Sequence, residues 1–449
     1  MGLEQCWPIG AYEARTLRSF DGGTVGSCKV YRPDRYAAFQ QKSAASGPII
    51  ARGSGLSYAA AAFVNGGTTV DMRQFDRILS YDDDTGRVEV EAGITLGALY
   101  DFLIARNRYL AVQPGHGNIS VGGCVAADVH GKNPAKDGTF STQVLSLRLY
   151  HPAHGLIELS REQMSDVFDA TCGGYGLTGI IVSVRLATAR LPGSALLVRA
   201  LPVNDPAQGA LVMREQAAKS DFTYSWHDFF SKTGEGLVFT GSFSQTGTEQ
   251  ASRHRSRLSA KRRALLPFGI HGAVAGRLQN KLFYALHKSW SSGRTMELQK
   301  AIFPVQGKEA YFFAFGAPGF HEHQAIVPDP AFPAYIAEVR RLAQKHGAVP
   351  IVLASGKSFA GDSSLLRFAG AGTCFAVNVP RTPESGRLLD DLNSLIVEMK
   401  GRPNIIKDST LRRRTVEACY PECGKLRELL RQWDPQRLLQ SELSQRLEL

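Results

Sequence analysis

Residues 114 to 133 read PGHGNISVGGCVAADVHGKN, with five glycines in twenty positions and a polar HGKN ending. Glycine loses more backbone freedom on ordering than any other residue, so such density is poorly suited to a helix or strand interior. It suits a turn whose main-chain N–H groups converge on one point with no side chains in the way, a nest for an anion. About sixty residues earlier RGSGLSY, Arg52 to Tyr58, has the same texture and adds the hydroxyls of Ser54 and Ser57 as donors. One cluster alone reads as an ordinary tight turn. Two, each beside a strand pattern, point to a phosphate-bearing cofactor.

A third cluster, GGYGLTGII (Gly173 to Ile181), contains a literal G-x-G-x-x-G at Gly174, Gly176 and Gly179. A dinucleotide-binding turn follows a strand, opens a helix and meets an acidic residue about twenty positions on. This one follows helix-like SDVFDA, opens the strand pattern IIVSVRLA (Ile180 to Ala187), and meets no Asp or Glu before Asp205. A G-x4-G-K-[ST] phosphate loop is absent as well. The glycines therefore belong to another kind of cofactor site.

Working outward, VEVEAG (Val88 to Gly93) alternates as a strand does. Thr95 can then cap a helix with Leu96, Leu99, Tyr100 and Leu103 at i, i+3, i+4 and i+7. This mixture predicts an α+β fold of two domains. The first spans residues 1–190, because the glycine texture stops around Leu191-Pro192-Gly193. Residues 191–401 form a second α+β domain with aromatic strands, FTYSWHDFF (Phe222 to Phe230) and YFFAFGAPGF (Tyr311 to Phe320). In the tail, 402–449, a helix from Gly424 carries Leu426, Leu429, Leu430 and Trp433 and stops at Asp434-Pro435.

The net charge is +11, and nine of these charges fall between residues 251 and 290, which hold nine basic residues and no Asp or Glu. Outside that insert the chain carries only +2, so no nucleic-acid partner is expected of it. The insert alternates cations with Leu, Phe, Ile and Val, as expected of a segment on an anionic membrane surface. The first twenty residues lack the apolar core of a signal peptide, and no apolar run is long enough to span a bilayer. A cytoplasmic protein, or one peripheral at the inner membrane, is expected. Seven scattered cysteines imply no disulfide framework, and Cys419 with Cys423 lacks the further ligands a zinc site needs, so no metal is expected.

RGSGLSY, TTVDM, VEVEAGITLGALYDFL, PGHGNISVGGCVAADVHGKN and GGYGLTGII together resemble the FAD-linked oxidases of the vanillyl-alcohol oxidase type. The resemblance implies that family's two-domain FAD-binding fold, with an α+β substrate domain built on an antiparallel sheet. It also implies FAD, held by Arg52, Gly53, Ser54, Gly55, Leu56, Ser57 and Tyr58 on one side and by Gly117, Asn118, Ser120, Gly122, Gly123 and Cys124 on the other. Gly179 and Ile180 are implied at the adenine end, and the 402–449 tail is implied to return to the FAD-binding domain. Relatives with a covalent flavin carry His where Leu56 stands, so non-covalent FAD is expected.

HGKN, the late Lys407-Asp408-Ser409 and the terminal QRLEL resemble the branch of the family that oxidises polyprenyl-phosphoryl ribose at its 2-hydroxyl, the first half of an epimerisation to arabinose for cell-wall arabinan. A lipid-linked sugar phosphate, a partner short-chain reductase and peripheral membrane contact are implied. A soluble alditol or sugar-lactone oxidase of the same fold is the alternative. Alcohol oxidation of this kind needs a hydride acceptor, an acceptor for the hydroxyl proton and cations to balance charge. The resemblance assigns Lys407, His130, Tyr58 and Gln324 to catalysis, with His130 and Lys407 also against the flavin, and Lys132, Trp226, Lys357, Cys374 and Ala376 to the substrate. Two departures stand out: Ala376 aligns with the family's reactive cysteine, with Cys374 two residues earlier, and Glu322 replaces a pocket Gln.

Overall fold

The computed structural model describes residues 12–40, 47–244, 267–307 and 310–449. The N-terminal part is built from two sheets. In the first, strands Glu13–Arg18, Val25–Tyr31, Thr68–Asp71 and Ile49–Arg52 lie side by side in that order. Ile49–Arg52 runs parallel to Thr68–Asp71 with Arg52 opposite Asp71, so RGSGLSY begins where an edge strand ends. The second sheet has five antiparallel strands, ordered Ile78–Asp82, Arg87–Glu91, Ile180–Ala187, Val144–His151 and Gly155–Ser160. Alternation in VEVE and IIVSVRLA places both strands there.

Packed in one core with the second sheet, the helix Leu96–Ile104 is capped by Thr95, whose hydroxyl accepts from the Ala98 N–H at 3.3 Å. Leu96, Leu99, Tyr100 and Leu103 are all buried, as their spacing requires. The decoy motif behaves as its context predicts: a helix Ser165–Thr171 precedes it and the strand from Ile180 follows. Tyr175, between the glycines, has a positive φ of 55°. A Cβ on Gly179 would press on Leu149 and the Tyr150 carbonyl, so the glycine allows two strands to meet.

The second part is an antiparallel sheet of eight strands, ordered Arg294–Glu297, Ala195–Val203, Gly236–Ser244, Phe222–His227, Leu353–Phe359, Gly372–Pro380, Phe320–Val327 and Arg402–Pro403. Helices Phe332–Lys345 and Pro383–Glu398 pack a large apolar core against one face. The α+β class and the antiparallel substrate sheet are thus as expected. YFFAFGAPGF is not a strand: it forms a short helix, Ala310–Phe313, then turns at Gly316 and Gly319. Its aromatics lack strand alternation and collect instead around Tyr58 and Phe320.

The tail returns to the first sheet. Ile49 N–H donates to the Leu438 carbonyl at 2.7 Å, and Trp433 Nε1 donates to the Thr178 carbonyl at 2.8 Å. Of the basic insert, residues 251–266 lie outside the described residues; Ala273–Lys288 is a helix. Among the described residues no helix is long and apolar enough to cross a membrane.

Candidate active site

The two glycine loops meet. A Cβ added to Gly53 would run into Ser120 Oγ, and Ser120 caps the helix Val121–Ala126 by accepting from the Gly123 N–H at 3.3 Å. Gly55 takes a φ of 69°, open to glycine and rare for other residues, with the Arg52 guanidinium folded against it. Among the described residues no acceptor takes the N–H groups of Ser54, Gly55, Leu56, Ser57 or Tyr58. Half-buried donors without partners are costly unless something else satisfies them. A pyrophosphate does so, and the loops therefore fit the diphosphate of FAD. Cys124 is an exception to the expected set: its thiol is buried in the apolar core beside Val121 and Val125, its N–H donates to the Ser120 carbonyl and its carbonyl accepts from the Val129 N–H.

Facing these loops is the side of the eight-stranded sheet opposite the two helices. Residues alternate along a strand, and register carries the pattern across: Glu322 lies opposite Asn378, Gln324 opposite Ala376, Lys357 opposite Cys374 and Trp226 opposite Ser355. Glu322, Gln324, Ala376, Cys374, Lys357 and Trp226 therefore share one face. Cys374 is buried with Ile326, Phe359 and Phe368, and burial pushes its thiol up to about 12.

Lys407 reaches this face from the loop after the last strand. That loop is pinned by Asn404, which the sequence did not single out, and by Asp408 and Ser409, whose anchoring role it did not show. Asn404 Nδ2 donates to Gln324 Oε1 at 2.6 Å, and its N–H donates to the Gln324 carbonyl at 2.7 Å. Asp408 is buried against His323 Nδ1 at 3.3 Å, and Ser409 Oγ donates to Asp21 at 2.6 Å. Polar residues bracketing the apolar pair Ile405-Ile406 are the signal that marks such an anchor. Lys407 Nζ stands 3.7 Å from the centre of the Tyr58 ring and 3.6 Å from Glu322 Oε1. Burial works to lower its pKa, but Glu322 and Tyr58 outweigh it and hold the ammonium above the ordinary lysine value. Glu322 is fixed in turn by Asn378 Nδ2, which donates to Oε2 at 2.8 Å. Burial raises the Tyr58 phenol to about 12, so it is a neutral donor.

HGKN enters from the cofactor side. Asn133 ties it to the second domain by donating to the Ala217 and Ser220 carbonyls at 2.8 and 2.9 Å. Lys357 Nζ lies 3.0 Å from His130 Nδ1 and donates to the Gly131 carbonyl at 2.9 Å. Burial, then the charge on Lys357, drives the His130 pKa far below its ordinary value, so the ring is neutral. Donation from Lys357 to Nδ1 corresponds to the tautomer with its proton on Nε2, while Nδ1 also lies 3.3 Å from the Gly131 carbonyl. Lys132, 5.7 Å from the Tyr224 ring centre, is also depressed by burial and by Lys357. Lys357 falls to about 8, chiefly through burial.

The structure thus brings together Tyr58, His130, Lys132, Trp226, Gln324, Lys357, Cys374, Ala376 and Lys407, with Glu322 added. Gly179 and Ile180 stand apart, in the second sheet, where Ile180 pairs with Tyr150.

The fold and the cradle define a flavoprotein that oxidises CH–OH groups, and comparison with known proteins agrees. A family model for the FAD binding domain matches residues 36–160. The chain is 27% identical over 417 residues to decaprenylphosphoryl-beta-D-ribose oxidase of Mycolicibacterium smegmatis, covering 89% of each chain. It is 34% identical over 134 residues to L-galactono-1,4-lactone dehydrogenase 2 of Oryza sativa, covering 30% of this chain and 23% of that one. L-gulonolactone oxidase of Mus musculus is 31% identical over 120 residues, 27% of each chain. The chain is an FAD-dependent oxidase acting on CH–OH groups, with an FAD binding domain over residues 36–160, and FAD is its cofactor.

Proposed function

We propose that the enzyme oxidises the 2-hydroxyl of a polyprenyl-phosphoryl ribose to a ketone, the first half of an epimerisation to arabinose that a short-chain reductase completes, supplying cell-wall arabinan. One observation carries this: Lys132, Lys357 and Lys407 converge, half-buried, on one site with only Glu322 among the described residues to offset them, and two of the three are depressed by burial. Cations held at that cost favour a ligand that brings negative charge, as a sugar phosphate does. The likeness to a decaprenylphosphoryl-ribose oxidase along most of the chain supports the same reading.

When bound, FAD supplies the hydride acceptor. Main-chain donors of Arg52 to Tyr58 hold it on one side, and the loop Gly117 to Cys124, whose N–H groups from Asn118, Ile119 and Val121 to Cys124 are already donated within the fold, backs it on the other, without a covalent bond at Leu56. Gly179 and Ile180 serve its adenine end. Lys407 balances negative charge on the reacting side. His130 donates from Nε2, Gln324 and Tyr58 orient the sugar, and Lys132, Lys357, Trp226, Cys374 and Ala376 line its place. Residues 1–190 bind the cofactor, 191–401 the substrate, and 402–449 returns to close the first part. A lipid-linked substrate places the enzyme at a membrane surface.

Product trapping tests the reaction. Borodeuteride reduction of the product is expected to place deuterium at C2 and yield ribose and arabinose epimers. Deuterium at another carbon, or none, would overturn the assignment. A second reading, oxidation of a soluble alditol or sugar lactone, draws on the lactone-oxidising relatives of the cofactor-binding part.

A further inference from the structure

The helix Ala273–Lys288 presents an apolar stripe to solvent. Its inner side holds Gly276 against the Phe230 ring and Asn280, whose Nδ2 donates to Asp228 Oδ1 at 2.9 Å. Phe283 follows, with its ring 4.6 Å from that of Trp226. On the outer side Val274, Leu278, Leu282 and Leu286 recur every fourth residue, and they are 83, 70, 59 and 58% exposed. Phe268 and Ile270, also exposed, extend the patch ahead of the helix. A surface helix of a globular protein turns such a stripe inward. A contiguous apolar patch left outside marks a contact surface.

Charge selects the occupant. At 3.6 residues per turn, Arg277, Lys281 and Lys288 run along one flank of the stripe, all exposed. No acidic residue lies anywhere between 251 and 290. A second copy of this chain would bring its own cations to the same contact, whereas anionic lipid headgroups neutralise them. Apolar outward, basic at the flank and too short to span is the pattern of a helix lying in the plane of a bilayer interface.

We propose that Ala273–Lys288 is the membrane-docking element of the enzyme, with Leu278 and Leu282 toward the acyl chains and Arg277 and Lys281 on lipid phosphates. Its underside touches Trp226, on the proposed substrate face, so docking sets that wall of the site at the membrane surface. A lipid-linked alcohol can then reach the site while its tail stays in the bilayer. The inference deepens the lipid-linked reading, yet docking is measured without substrate, so either can fail alone.

The test is sedimentation of the full-length, FAD-loaded protein with phosphatidylcholine vesicles and with vesicles containing phosphatidylglycerol. Three cations near an anionic surface are expected to favour the anionic vesicles about a hundredfold at low salt, an advantage that rising salt removes. A Leu278→Glu/Leu282→Glu variant should keep the flavin spectrum and the Tm but lose binding to both. Arg277→Glu/Lys281→Glu should lose only the preference for anionic lipid, and it serves as the test if the first variant does not fold. The proposal is overturned if the wild type binds neither vesicle, or if both variants bind as the wild type does. It is also overturned if the wild type is a dimer that Leu278→Glu/Leu282→Glu splits, without any vesicle binding.

Discussion

The two walls of the site hold charge by different means. The loops around Gly53 and Ser120 offer main-chain N–H groups, which do not titrate and need only space. The opposite wall is a sheet face carrying Lys357, met by Lys407 from the tail loop and by Lys132 from the cofactor side, and the charge of these lysines is set by burial, by one another and by Glu322. A backbone site is therefore sensitive to added atoms and indifferent to pH, and a side-chain site is the reverse.

The largest expected effect breaks the first wall. Gly53→Val drives a side chain into Ser120, and the protein should be isolated colourless, without the visible flavin absorption of the wild type. Full flavin content in that variant would show that the loops do not hold the cofactor. On the other wall, Lys407→Met should keep the flavin and lose about a hundred- to a thousandfold in kcat, the scale of removing a charge-stabilising donor. A loss confined to KM would reduce Lys407 to binding.

Glu322→Gln sharpens the comparison, because it restores the family's residue while removing the partner that holds Lys407 protonated. With the Glu322 charge gone and Tyr58 left to oppose burial, the Lys407 pKa falls, and the alkaline limb of the kcat/KM profile should move to lower pH. An unmoved limb would mean that the pair does not govern activity.

Lys357 gives a smaller effect of defined sign. Its folded pKa, about 8, lies below that of the unfolded chain, so between the two the unfolded state binds the extra proton. Stability should therefore rise with pH from about 8 to the ordinary lysine value. Denaturant titration of Lys357→Met should show that slope diminished. The smallest effect is at Cys374: with its thiol pushed up to about 12, alkylation at neutral pH should be slow. Rapid stoichiometric labelling at Cys374 would contradict the burial argument.

The same contrast explains what the sequence disclosed. Main-chain sites announce themselves, because only glycine satisfies Gly53 and Gly55, and the strand VEVE and the helix from Leu96 follow from their periods. Side-chain sites depend on register. That Lys357 stands beside His130, or that Asn378 fixes Glu322, follows only once the strands Phe320–Val327, Leu353–Phe359 and Gly372–Pro380 are paired. The anchoring roles of Asn404 and Asp408 escaped notice because their partners, Gln324 and His323, lie about eighty residues away. YFFAFGAPGF misled because its clustered aromatics have no period to read. The basic insert was legible in charge; only the helix revealed which of its apolar residues face outward.

Anaerobic bleaching of the bound flavin tests the pairing of the two walls most directly, since it needs the cofactor in one and the substrate in the other. Polyprenyl-phosphoryl ribose should bleach the flavin, while free alditols and sugar lactones leave it yellow. Bleaching by the free sugars and not by the lipid-linked pentose would contradict the phosphate-seeking role given to the lysine wall.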